Sequence, residues 1–174
     1  MALEDHHGHW ELHCGRLVEK PPVTAQHADI IDRLYRQLAP QLPVDEFGIR
    51  AEAGRVRRGS GSYYEPDLCV IPRAFVERQI RERLTELEVY DEPLTLVVEV
   101  WSPSTGNADV IDKVPAYQRR GDAEIWRIHP RERTVTVWQR QADGSYRETR
   151  HTAGVVRPAP LPNVTIEIEA LFAW

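Results

Sequence analysis

Residues 93–104 read PLTLVVEVWSPS, and the β-branched and apolar run at their centre predicts a buried β-strand. Glu99 interrupts this run, with a valine on each side of it. A carboxylate inside such a strand is costly unless a cation, a metal ion or hydrogen-bond donors compensate its burial. The group that pairs with Glu99 therefore bears on both the fold and the function of the chain.

The segments around this strand predict an α/β fold, with a mixed central sheet flanked by helices and extra β-hairpins, in one domain spanning residues 1–174. Thr24 is a suitable N-cap for an amphipathic helix that ends at Pro40. The predicted apolar face of this helix comprises Ala28, Ile31, Leu34, Tyr35 and Leu38. A second helix is predicted over residues 109–120, where Gly121 ends it.

The composition is typical of a globular protein with a core. Hydrophobic residues make up 41% and charged residues 28% of the 174 residues, and no apolar run is long enough to cross a bilayer. Residues 1–8 are expected to form a mobile tail, and the absence of a secretion signal predicts a cytoplasmic location. The net charge of −5 argues against nucleic-acid binding through bulk positive charge, but it is compatible with a local basic groove.

Positive charge is carried almost entirely by arginine. Of the 22 lysine and arginine residues only Lys20 and Lys113 are lysines, which leaves 20 arginines. Lysine supplies a compact ammonium group with an adjustable pKa, which arginine cannot replace. The bias hints that a lysine retained in this chain meets such a need.

Asp67, Glu99 and Lys113 are predicted to converge. Asp67 begins an apolar strand, Glu99 lies in the next strand of the sheet, and Lys113 lies on the following helix, where it shares a face with Tyr117. An aspartate and a glutamate on neighbouring strands can hold one or two Mg²⁺ ions. Such a metal activates water and stabilises charge on a phosphate, and an ammonium group can orient that water. The three residues therefore predict a hydrolytic phosphodiesterase.

Three stretches carry a family resemblance, and they read EPDLCVI at residues 65–71, LVVEVWSPST at 96–105 and DVIDKVPAYQRRGDAEIWRIHPRERTVTVWQR at 109–140. They resemble the Uma-type restriction-endonuclease family, which belongs to the PD-(D/E)xK nuclease superfamily. The stretch WELHCGRLVEKPPVTAQHADIIDRL at residues 10–34 resembles the hairpin and first helix of that family. The resemblance thus covers nearly the whole chain and implies a restriction-endonuclease-like fold.

The resemblance implies a role for each matching residue. Asp67 corresponds to the aspartate of the PD motif and Glu99 to the (D/E) position, both as catalytic ligands of Mg²⁺ or Mn²⁺, and the backbone carbonyl of Val100 is the implied third ligand. Trp101 stands where the simple motif has its lysine, whereas Lys113 matches the helix lysine of this family. The implied activity is a metal-dependent endonuclease acting on DNA. Because duplex cleavage commonly needs two active sites, a homodimer is expected.

Three residues are candidate accessory groups, each with a structural alternative. Glu11 either lies near the metal or is a surface strand residue. His27 either approaches the phosphate or is a structural or exposed helix residue. Tyr117 either packs in the core or places its hydroxyl near the site.

Arg55, Arg57 and Arg58, with Tyr63 and Tyr64 nearby, predict a nucleic-acid loop in which cations contact phosphates and aromatic rings stack on bases. The alternative is a solvated hairpin tip.

Structural alternatives also apply to the central residues. Glu99 could form a buried ion pair with an arginine, and Lys113 could be a solvated helix residue. The corresponding alternative function is a catalytically inactive nuclease-fold module that binds nucleic acid or a partner protein.

Overall fold

The computed structural model describes residues 10–13, 15–20, 22–57, 61–103 and 109–174. The expected mobile tail at residues 1–8 and the candidate contact Arg58 lie outside the described residues. The strands in chain order are β1 (Trp10–His13), β2 (Arg16–Glu19), β3 (Phe47–Ala51), β4 (Arg55–Arg57), β5 (Tyr63–Tyr64), β6 (Leu68–Pro72), β7 (Val89–Tyr90), β8 (Leu96–Val100), β9 (Glu124–His129), β10 (Thr134–Arg140), β11 (Tyr146–His151), β12 (Val155–Val156) and β13 (Ile166–Glu167). The α-helices are α1 (Ala25–Leu38), α2 (Arg73–Glu82) and α3 (Val114–Arg120).

The described strands form a mixed architecture, as predicted from the sequence. One sheet has six strands in the order β11-β10-β9-β8-β6-β3, a second has five in the order β2-β1-β5-β4-β7, and β12 pairs with β13. In the six-stranded sheet only β8 and β9 run parallel, and α3 lies in the crossover between them. All five residues of β8 are buried, which explains its almost unbroken apolar sequence.

The register of the six-stranded sheet places the two candidate metal ligands opposite each other. In the antiparallel pair of β6 and β8, Leu68 lies opposite Val98. Continuation of this register by one residue places Asp67 opposite Glu99, and residues in opposite positions share a face of the sheet. Glu99 also lies beside Arg127 in the parallel pair of β8 and β9.

Helix α1 begins as predicted but is rotated from its predicted orientation. Thr24 is the N-cap, and its side chain accepts a hydrogen bond from the backbone N–H of His27 at 3.2 Å. The buried face comprises His27, Ile30, Ile31, Leu34 and Leu38. The prediction that Ala28 and Tyr35 lie on this face is wrong, because both are exposed. The rotation turns His27 inward, where its ring forms a hydrogen bond with the buried carboxylate of Asp67.

The helix predicted over residues 109–120 is α-helical only in its second part. Residues 109–120 are helical as predicted, but Asp109–Lys113 forms a π-helical turn and only Val114–Arg120 is α-helical. π-Helical turns widen the helix and are frequent at functional sites. Gly121 ends α3 with a φ of 85°, as predicted, because glycine adopts this left-handed conformation without steric cost.

Two apolar clusters cover the two faces of the six-stranded sheet. Leu96, Val98 and Val100 of β8 belong to the cluster that contains α1, whereas Val97 belongs to the cluster that contains α3. Alternation along the strand therefore directs Glu99 to the α3 side. No helix in the described part of the chain is both long enough and apolar enough to span a membrane.

Candidate active site

Asp67, Glu99 and Lys113 lie together in a buried polar cluster between the two larger sheets. All three residues are at most 5% exposed. Asp67 precedes β6, Glu99 lies in β8, and Lys113 ends the π-helical turn before α3. The apolar surroundings make every unpaired charge in this cluster expensive, so its contacts determine what the site can do.

An ammonium group and a hydroxyl group compensate the burial of Glu99. Its Oε1 accepts a hydrogen bond from the Tyr117 hydroxyl at 2.5 Å, and its Oε2 lies 3.3 Å from Nζ of Lys113. Burial and the charge of Glu99 raise the pKa of Tyr117 well above its ordinary value, so the hydroxyl keeps the proton that it donates. Tyr117 thus contributes both packing and a polar contact to the cluster.

Lys113 connects the carboxylates of two different sheets. Its Nζ lies 2.9 Å from Oε1 of Glu11 in β1, in addition to its contact with Glu99. The same Glu11 oxygen accepts the backbone N–H of Glu65 at 3.0 Å. Glu11 is 5% exposed, which excludes the alternative of a surface strand residue. The alternative of a solvated Lys113 is likewise excluded by its burial.

Asp67 is held by three donors. Its Oδ1 lies 3.0 Å from Nζ of Lys20, while its Oδ2 lies 3.0 Å from Nε2 of His27 and accepts the Val100 N–H at 2.7 Å. Burial by itself would raise the pKa of Asp67, but the Lys20 ammonium and the His27 ring outweigh it and hold the pKa well below its usual range. Asp67 is therefore an anion at neutral pH.

His27 faces the site, as the candidate accessory role requires. The residue is 3% exposed and packs against the cluster from the first turn of α1. Its Nε2 contacts Asp67, whereas its Nδ1 is buried without a hydrogen-bond partner among the described residues. A buried ring nitrogen without a partner is uncommon, and it leaves His27 able to contact a water molecule or a bound group.

Lys20 is a member of the site that the sequence predictions missed. Its Nζ donates to the backbone oxygen of Glu65 at 3.0 Å as well as to Asp67. Burial alone would lower the pKa of Lys20, but the carboxylates, with Asp67 foremost, raise it above its ordinary value. The scarcity of lysine was the available signal, since both lysines of the chain contact this cluster.

The two described arginines of the predicted nucleic-acid loop lie in β4 and have acidic partners. Nη2 of Arg55 lies 2.8 Å from Oε2 of the buried Glu65, so Arg55 faces the polar cluster. Arg57 is more exposed, with its Nε 3.1 Å from Oδ1 of Asp91 and its guanidinium 5.2 Å from the ring centroid of Tyr63. Arg57 is thus the better placed of the two to contact a ligand at the surface.

The carboxylates of Asp67 and Glu99 are suitable ligands for a divalent cation, although each already contacts a lysine ammonium group. Hard cations such as Mg²⁺ and Mn²⁺ prefer carboxylate and carbonyl oxygens, which the side chains of Asp67 and Glu99 and the backbone of Val100 provide. Within the described ranges, no three histidine, cysteine or acidic side chains are grouped so as to hold a metal ion. The ammonium groups of Lys20 and Lys113 contact the carboxylates instead. Metal binding would therefore compete with at least one of these contacts.

Comparison with known proteins relates the chain to a protein family and to solved structures of similar fold. The profile of the Uma2 family, described as "Putative restriction endonuclease", matches residues 1–169. A crystal structure described as a putative nuclease belonging to DUF820 from Anabaena variabilis ATCC 29413 is similar in fold, with a TM-score of 0.76 and 21% sequence identity. The alignment covers 95% of this chain and 90% of that chain. No curated protein matches this chain.

Proposed function

Because the chain belongs to the Uma2 family of putative restriction endonucleases, we propose that it is a metal-dependent endonuclease that hydrolyses phosphodiester bonds of DNA. The observation that carries this proposal is the buried group of Asp67, Glu99 and Lys113, in which Asp67 immediately precedes β6 and Glu99 lies in the neighbouring strand β8. The family membership indicates the class of enzyme, and the cluster supplies the residue types for a PD-(D/E)xK mechanism.

Asp67, Glu99 and the Val100 carbonyl would hold Mg²⁺ or Mn²⁺. When bound, the metal supplies an activated water and stabilises negative charge on the phosphate. The protein orients both carboxylates through the contacts of Asp67 with the Val100 N–H and of Glu99 with the Tyr117 hydroxyl. These contacts pre-organise the ligands, which lowers the cost of assembling the site.

The position of Lys113 supports its assignment as the lysine of the motif, moved to the helix that follows β8. A helix residue must bend back over the strand to reach the site, and Nζ of Lys113 lies 3.3 Å from Oε2 of Glu99. In this place the ammonium can orient the attacking water and offset charge on the phosphate. Trp101, which occupies the position of the lysine in the simple motif, stacks on the ring of His129 with centroids 4.5 Å apart.

Wild-type protein should convert supercoiled plasmid to nicked and linear forms in Mg²⁺ or Mn²⁺, and chelation of the metal should stop the reaction. The expected dependence arises because the carboxylates alone cannot activate water or bind an anionic phosphate. Gel electrophoresis of plasmid over a range of metal concentrations measures this activity. DNA retention in a gel-shift assay, without cleavage and without Mn²⁺ binding by calorimetry, would contradict the proposal and favour the inactive binding module.

We also propose that the protein acts as a homodimer, because cutting both strands of a duplex commonly requires two active sites. Light scattering at micromolar concentration should give about twice the chain mass of 20.1 kDa. A monomeric mass that persists in the presence of duplex DNA would contradict the dimer without affecting the assignment of the single site.

A further inference from the structure

The two lysines of the chain have different surroundings within the site. Lys113 lies between the carboxylates of Glu11 and Glu99, at 2.9 and 3.3 Å. Nζ of Lys20 lies 3.0 Å from one carboxylate, that of Asp67, and 3.0 Å from one backbone carbonyl, that of Glu65. Lys20 also comes from the connection between β2 and α1, whereas Lys113 is part of a helical turn. Lys20 therefore contacts fewer carboxylates than Lys113 does, and it lies in a connecting segment rather than in a helix.

The ammonium group of Lys20 occupies a carboxylate oxygen of Asp67 that a bound metal ion would need. Nζ contacts Oδ1 of Asp67, while Oδ2 is engaged by His27 and by the Val100 N–H. In a buried cluster a cation at this distance interacts strongly with the carboxylate and would strongly repel a divalent ion on the same group. The two cations thus compete for one carboxylate.

We propose that Lys20 is a positioning residue that serves as an internal cation, holding Asp67 in the metal-free protein and limiting the affinity of the site for a divalent metal. This inference rests on the proposed function, since it presumes that Asp67 is a metal ligand. Release of Lys20 leaves the contacts of Asp67 with His27 and the Val100 N–H in place. The metal then takes over the charge compensation that the ammonium provides.

Lys20→Met should bind Mn²⁺ at least about tenfold more tightly than the wild type, because it removes a competing unit charge and keeps the length of the apolar chain. Isothermal titration calorimetry with MnCl₂ measures the affinity. Lys20→Arg retains the positive charge and should stay close to the wild type. Arg36→Met removes an exposed charge that pairs with Asp32 on α1, and it should leave the affinity unchanged.

Thermal unfolding provides a second measurement if Lys20→Met is less stable without metal. A ligand that binds only the folded protein raises Tm in proportion to the logarithm of its concentration over Kd. Saturating Mn²⁺ should therefore raise the Tm of Lys20→Met by more than it raises the Tm of the wild type. This comparison uses the full chain and requires no catalytic activity.

The outcomes separate this inference from the proposed function. If the wild type binds Mn²⁺ and Lys20→Met binds it no more tightly, Lys20 is not a competing cation and the inference fails alone. If neither the wild type nor Lys20→Met binds Mn²⁺ in either measurement, the metal-dependent function fails together with the inference. Tighter binding in Lys20→Met with unchanged binding in Arg36→Met supports both.

Discussion

Glu99→Gln should reduce metal-dependent DNA cleavage by a factor on the order of a thousand, because loss of a metal ligand removes several kcal/mol of transition-state stabilisation. Glutamine has nearly the same shape as glutamate, and its amide oxygen can still accept the hydrogen bond from the Tyr117 hydroxyl. Lys113 retains its contact with Glu11, so the cluster keeps a partner for the ammonium. The substitution therefore removes charge from the site with little change in packing.

The matched control is Glu124→Gln. Glu124 is 1% exposed, as Glu99 is, and lies in β9, the strand next to β8. Its carboxylate accepts hydrogen bonds from the Trp126 indole at 2.5 Å and from the Ala159 N–H at 2.8 Å, outside the cluster. Plasmid nicking per folded molecule should stay near the wild-type rate in this control. Wild-type nicking by Glu99→Gln, or equal losses in both variants, would show that Glu99 is not a metal ligand in catalysis.

Lys113→Met should lower the free energy of unfolding by about 3–5 kcal/mol, since it removes the cation of a buried ion pair. Glu11 and Glu99 would both remain buried without the ammonium that now lies between them. Cleavage should be lost as well, because no other amine occupies this position. Urea denaturation at constant pH and ionic strength measures the change in stability.

Two further variants test the physical cause of this loss. Lys113→Arg keeps the charge and should recover part of the stability, yet it should not restore cleavage, because the planar guanidinium cannot replace a compact ammonium. In the double variant Lys113→Met with Glu99→Gln, the loss should be smaller than the sum of the single losses, because one of the two carboxylates that lose the ammonium is no longer charged. Wild-type stability of Lys113→Met would contradict the ion-pair explanation.

Local patterns determined the elements that frame the site. The apolar run around Glu99 predicts a buried central strand, and β8 occupies that place in the sheet. Thr24 and Gly121 mark a helix start and a helix end because capping depends on residues within one turn of the chain. The convergence of Asp67 and Glu99 was predictable for a related reason. The two residues lie at the ends of apolar segments that pair as neighbouring strands, and opposite residues of paired strands share a face of the sheet.

Longer-range contacts decided the rest. The inward orientation of His27 depends on Asp67, which lies 40 residues further along the chain. The apolar pattern of α1 did not by itself identify this orientation, because histidine is found both in protein interiors and at the surface. The local sequence likewise did not indicate the π-helical turn that precedes α3. In the folded chain, this turn places Lys113 against carboxylates from two sheets.

The sequence alone thus determined the fold class, the central strand and the pair of acidic residues, since periodicity and capping are local properties. It also indicated, through the scarcity of lysine, that Lys20 and Lys113 are exceptional. Only the tertiary structure assigned them their carboxylates, because Lys20 is 47 residues from Asp67 and Lys113 lies between Glu11 of one sheet and Glu99 of the other. The physical reason is that a buried charge is compensated by whichever group the packed chain brings within about 3 Å, and sequence spacing does not record that distance.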